Sequence, residues 1–145
     1  MAKEYHVRYS YVIMALIKSH LASTLFVFYA VFGVIAIVSM FKMSGEEMLQ
    51  ALLYALVIPL YLIPYSFAFA FPSLIIAVFV SVKIMRYRSD NLFIWLVSAL
   101  FVGLTYLMFS YDLYGFLLFS IPVSFLNGIL MRRMARRYYE AEEVK

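Results

Sequence analysis

The chain contains no cysteine. Disulfides, thiolate metal sites and cysteine nucleophiles are therefore excluded, and nothing in the sequence reports the redox state of a compartment. Charge is scarce as well: Asp, Glu, Lys and Arg make up 14% of the residues, where an average soluble domain carries about a quarter. The segments 21–41, 66–82, 92–109 and 116–131 hold no Asp, Glu, Lys, Arg or His at all. Ionisable residues at such positions mark ion paths and proton relays, so their absence speaks against both.

The scarcity extends to catalytic groups. Only two histidines occur, His6 and His20. His6 has no carboxylate or second histidine at metal-ligand spacing, and His20 sits beside Lys18 at the edge of an apolar run, the place of an interface residue. Glu46 and Glu47 are adjacent, so on a helix they point apart and make a poor acid/base pair. Serines are present, but none has a base within its own apolar segment. The glycines, at 33, 45, 103, 115 and 128, are too scattered to cradle a phosphate. The expectation is a protein that is not an enzyme and has no cofactor and no metal.

What the chain has in abundance is apolar surface. Of its 145 residues 66% are hydrophobic, and the mean hydropathy is +0.93. A water-soluble fold of this length cannot enclose so much, because its volume is too small for its surface. The composition predicts an all-α integral membrane protein, with the lipid bilayer as its solvent. The net charge of +4 does not point to nucleic acid, since the basic residues stand in short blocks beside apolar runs. That placement is the signature of membrane orientation.

Along the chain, Tyr5, Tyr9, Val12, Ile13, Leu16 and Ile17 fall on one helical face, with Glu4, Arg8 and Lys18 on the other. This predicts an amphipathic interfacial helix over 4–18. A first span follows at 21–41, about 31 Å long against a hydrocarbon core of about 30 Å. It is too long for the apolar part of a signal peptide and lacks a convincing cleavage site, so it reads as a retained span. Ser44 and Glu47 form a capping-box pattern for the next helix.

The stretch 48–82 is the ambiguous one. It is almost wholly apolar and contains Pro59, Pro64 and Pro72. As one straight helix it would reach about 52 Å, so it divides either into two short spans or into a bent outer-face segment at 46–64, interfacial or re-entrant, followed by one span at 66–84. Charge favours the second. With four spans (21–41, 66–84, 92–109 and 116–131) and a tail at 132–145, 11 of the 12 Lys and Arg residues lie on one side and only Lys42 on the other. The positive-inside rule then places both termini in the cytoplasm, most naturally at a bacterial inner membrane. Trp95 and Tyr111 flank the third span as interface anchors.

The two hairpins share an offset of 50 residues: Pro72 with Pro122, Lys83 with Arg133, Arg86 with Arg136, Asp90 with Glu140. A duplication is one explanation and biased composition the other. Small residues repeat every fourth position at Ser73, Ala77 and Ser81, and again at Ser120, Ser124 and Gly128. Such ribbons let helix backbones approach closely in lipid. They serve either packing within the bundle or docking of another membrane protein or a second copy. Ala99 and Gly103 form a weaker ribbon. Asn127, the one amide within a predicted span, is suited to an interhelical hydrogen bond or to a partner contact.

Two functions follow as expectations. One is a small non-enzymatic module that recognises another membrane protein, an inserted toxin or a transport complex, in an accessory, inhibitory or immunity-like role. The layout of a small multi-span chain with cytoplasmic ends is similar to that of the immunity proteins against pore-forming colicins, a resemblance of organisation with no shared motif. The other is a subunit of a small oligomeric transporter or channel for an apolar or weakly polar solute, with its site at the proline-broken helices.

Overall fold

A computed structural model describes residues 7–42, 44–87, 91–100, 102–103 and 114–143, with backbone alone at 114–118 and 143. The regular elements among them are all helical. Helix α1 is Tyr9–Met40 and α2 is Gly45–Arg86. Helix α3 covers 91–100, with a π-helical stretch at Phe93–Val97, and α4 is Tyr114–Glu143. Both α1 and α2 are long and apolar enough to cross a membrane.

Helix α1 has 32 residues, about 48 Å at the α-helical rise. It passes without a break through Lys18-Ser19-His20-Leu21, where the sequence reading places the boundary between an interfacial helix and a span. The polar run that resembles a water-facing boundary is largely an interior face: Ser19, His20, Ser23 and Thr24 are all buried. Continuity of the helix does not by itself place a bilayer boundary. Residues 4–6 of the predicted amphipathic helix, His6 among them, lie outside the described residues.

Helix α2 has 42 residues and keeps Pro59, Pro64 and Pro72 inside it, so the stretch that the sequence reading divides near 64–66 runs on as one helix. Each proline lacks the N–H that would bond the carbonyl four residues back, which costs the carbonyls of Ala55, Leu60 and Ala68 their usual partners. Packing explains how the helix survives. The Tyr9 and Phe79 rings meet edge to face, His20 Nε2 lies 3.1 Å from Ser66 Oγ, and Tyr29 donates its hydroxyl to the Leu56 carbonyl. Helices α1 and α2 therefore run antiparallel along most of their length. The segment 46–64 begins α2 and continues alongside the second half of α1.

Helix α4 packs antiparallel to α1. Tyr11 Oη donates to the Met134 carbonyl at 2.8 Å, Ser19 pairs with Asn127, and Phe28 meets Phe119 edge to face. Helix α3 is antiparallel to α4, since Ser98 Oγ donates to the Ser124 carbonyl at 3.1 Å while Phe93 and Ile94 lie against Gly128. One end of the bundle thus gathers the start of α1, the end of α2, the start of α3 and the end of α4. Tyr139 ties this end together by donating to the Met85 carbonyl at 3.0 Å.

The tightest apolar core lies towards this same end, around Val12, Leu16, Ala77, Met85, Phe93, Val97, Met131 and Ala135. Eight basic residues belong to the helix segments that meet there: Arg8, Lys18, Lys83, Arg86, Arg132, Arg133, Arg136 and Arg137. The described carboxylates on the same segments are Glu140, Glu142 and Glu143. Elsewhere large apolar side chains face outwards, among them Phe26, Val34, Ile37, Leu49, Val57, Phe71 and Trp95. The predicted spans at 92–109 and 116–131 are described only in part, and the turn with Tyr111 and Asp112 lies outside the described residues.

Candidate functional site

The most concentrated polar chemistry in the fold is a seam between α1, α2 and α4. On α1, Ser19 and Ser23 are one turn apart, as are His20 and Thr24, so four polar side chains occupy neighbouring positions on the inner face. Ser23 turns its hydroxyl back to the Ser19 carbonyl at 2.6 Å, a bond within the helix that satisfies this one hydroxyl.

On the α2 side, Ser66 stands between His20 Nε2 at 3.1 Å and Thr24 Oγ1 at 3.2 Å. The His20 ring also meets the Phe67 ring edge to face, with centroids 4.9 Å apart. An imidazole nitrogen, two hydroxyls and an aromatic edge thus fix α1 against α2 at one level. On the α4 side, Ser19 Oγ donates to Asn127 Oδ1 and lies 3.0 Å from the Leu16 carbonyl. One hydroxyl proton serves one of these acceptors at a time. With the amide turned by 180°, Asn127 becomes the donor and both contacts are satisfied together.

The two small-residue ribbons are interior. Ser73, Ala77 and Ser81 are buried on α2, and Ser124 is buried on α4, as is Gly128, with Ser120 half-buried. A Cβ on Gly128 would lie 3.0 Å from both the Phe93 carbonyl oxygen and the Ile94 Cα. Glycine is what lets α4 touch the α3 backbone there, at the start of its π-helical stretch. The Ser124 hydroxyl bonds the Ser120 carbonyl of its own helix. The weaker ribbon differs: Ala99 and Gly103 are exposed, and nothing lies within 4 Å of the position of a Gly103 Cβ.

The structure brings Asn127 and the α1 seam together, and sets the Ser73 and Ser120 ribbons on separate helices. Sequence reasoning missed Ser19, Ser23, Thr24 and Ser66 as a group. Their signal was present in the i, i+4 repetition of polar residues across 19–24, but a boundary at Leu21 cut that pattern in two.

Two groups outside the predicted spans have altered acidity. Burial pushes the Tyr11 phenol up from its ordinary value, helped by the neighbouring Tyr138, against a smaller downward pull from Arg137. The Glu47 carboxyl is held below its ordinary value by hydrogen bonds from the Ser44 backbone N–H and hydroxyl. Among the described residues no three His, Cys, Asp or Glu side chains gather where they could hold a metal ion.

In comparisons with protein-family models, curated proteins and solved structures, nothing matches this chain. Function has to be argued from its own geometry. That geometry sets hydrogen-bonded pairs inside the bundle, as in the seam, where His20 Nδ1 and Asn127 Nδ2 nonetheless lack partners, apart from the polar groups left on its surface.

The surface group is a row of tyrosines on α2. Tyr54, Tyr61 and Tyr65 follow one another at i, i+7 and i+11, a single helical stripe, and all three are exposed. The Tyr61 and Tyr65 rings touch, with centroids 5.8 Å apart. Tyr61 and Tyr65 lie between the Thr24–Ser66 and Tyr29–Leu56 contacts with α1, and Tyr54 lies just beyond the second.

Proposed function

We propose that this chain is a non-enzymatic multi-pass protein of a cell membrane, with both termini in the cytoplasm, that acts by binding another membrane protein through helix contacts. The tyrosine stripe of α2 carries this reading. A phenol has an apolar body and a polar tip that seeks a hydrogen-bond acceptor. In hydrocarbon no water supplies one, and lipid tails do not either. A partner helix bearing carbonyl or hydroxyl acceptors satisfies all three phenols along one line, whereas lipid tails satisfy none. The small-residue ribbons are already engaged inside the chain, so the recognition face belongs on α2.

A specific observation also favours the transporter or channel-subunit reading. The seam of Ser19, His20, Thr24, Ser66 and Asn127 places polar atoms inside an apolar bundle, where a weakly polar solute would find hydrogen bonds. Its members bond one another, which supports interhelical fastening first.

The deciding experiment is copurification from native membranes in mild detergent, with wild type beside a Tyr54→Phe, Tyr61→Phe, Tyr65→Phe variant. Recognition through the stripe predicts a stoichiometric foreign membrane protein with wild type, reduced at least severalfold by removal of three hydroxyls with little change in shape. A photocrosslinker at position 61 should capture the same protein. A homo-oligomer that carries no foreign protein, and is indifferent to the variant, would instead support the subunit reading.

A further inference from the structure

Arg132 occupies an unusual position. It follows Gly128 by one turn on α4, and Gly128 is the residue packed against the α3 backbone at Phe93 and Ile94. Arg132 therefore lies towards the α3 side of α4, level with the start of α3. The residue is half-buried, and its Nε is shut off from solvent without a hydrogen-bond acceptor.

Among the described residues, protein carboxylates do not meet the need; Asp90, just before α3, lies outside them. Glu140 and Glu142, on the same helix, lie eight and ten residues further on, about 12–15 Å along the axis. The neighbouring residue Arg133 is itself cationic, and this end of the bundle carries the surplus of basic residues described above. A half-buried guanidinium with an unpaired Nε in a positive field suits an external anion, and its planar fork matches phosphate oxygens. Beside it, the outer surface of α3 presents Leu92, Trp95 and Leu96, all exposed. A cation next to an exposed apolar face suits a ligand that is anionic at one end and apolar at the other.

We propose that Arg132 binds the phosphate of one anionic phospholipid at the α3–α4 contact, with the acyl chains lying along Leu92, Trp95 and Leu96. The inference rests on the membrane reading above and adds a ligand to it. It requires more than diffuse attraction between basic residues and an anionic leaflet, since one half-buried arginine with a covered Nε is singled out from its exposed neighbours.

The test is native mass spectrometry of protein released from nanodiscs of equimolar phosphatidylglycerol and phosphatidylcholine. Wild type should retain one phosphatidylglycerol in preference to phosphatidylcholine. Arg132→Gln should lower that preference by about tenfold, the scale of one lost charge-assisted bond. Arg137→Gln removes the same charge from an exposed position and should leave the preference intact. A thermal-melting series on wild type covers the case in which Arg132→Gln does not fold: added phosphatidylglycerol should raise Tm and phosphatidylcholine should not. Equal losses in the two variants, or equal effects of the two lipids on Tm, would overturn the proposal. Displacement of the bound lipid by millimolar inorganic phosphate would also overturn it, in favour of a free-anion site. Failure of the membrane reading has a separate sign, release of the chain from membranes by alkaline carbonate, visible before any lipid is counted.

Discussion

Single residues govern how closely these helices approach. At Gly128 the two nearest atoms facing a new Cβ are backbone atoms of α3, which cannot rotate away as a flexible side chain can. Gly128→Ala should therefore destabilise the bundle by about 1–3 kcal/mol through overpacking. Gly33 lies within α1 with nothing inside 4 Å of its Cβ position, so Gly33→Ala should be neutral or stabilising by up to about 1 kcal/mol. Reversible unfolding in mixed micelles compares the two directly. Equal behaviour of both alanine variants would remove the close α3–α4 approach as a determinant of stability. The spacing of Gly128 with Ser120 and Ser124 was legible in the sequence. Which helix the ribbon meets was not, because an i, i+4 repeat carries no information about the partner across it.

At the scale of the element, the start of α2 is fastened by local chemistry and the rest of it by packing. Ser44 and Glu47 supply the capping pair anticipated from their spacing, with Ser44 N–H and Oγ each 3.0 Å from Glu47 Oε2. Those bonds favour the charged carboxylate, so the folded-state pKa lies below its unfolded value. The resulting stability is fully present above the unfolded pKa and is lost as pH falls through the folded one. Acidification should fray the first turn of α2, with lower amide protection factors at residues 46–48, and Glu47→Gln should make those protection factors insensitive to pH in the same window. A carboxyl titration by NMR that put Glu47 at or above the ordinary glutamate value would contradict this. The prolines further along α2 show the limit of local rules. Each weakens the helix where it stands, yet contacts from α1 at Tyr9, His20 and Tyr29 hold α2 along its length.

For the whole molecule, the arrangement of ends matters most. The structure brings the start of α1 and the end of α4 together through Tyr11, Met134 and Tyr138, and the basic residues collect at that end. If this end faces the cytoplasm, single cysteines will show it cleanly, since the chain has none of its own. In intact cells Ser10→Cys and Ala141→Cys should resist a membrane-impermeant maleimide, while Lys42→Cys and Ser110→Cys should react. Labelling of positions 10 and 42 from the same side would rule out α1 as a span.

The sequence by itself determined the helical class, the poverty of charge in the apolar stretches, the basic asymmetry and the cap at Ser44. Each of these depends on composition or on residues within one or two turns, where the physics is local. Only the tertiary structure decided that α1 and α2 lie antiparallel along most of their length, that His20 and its polar neighbours face inwards, and that the Ser120, Ser124 and Gly128 ribbon meets α3. The reason is the uniformity of the apolar stretches. Where nearly every side chain is hydrophobic, no periodic contrast marks an inner face or a register, and the choice passes to shape: a glycine that admits a backbone, a serine that reaches a histidine, a tyrosine that finds a carbonyl on another helix.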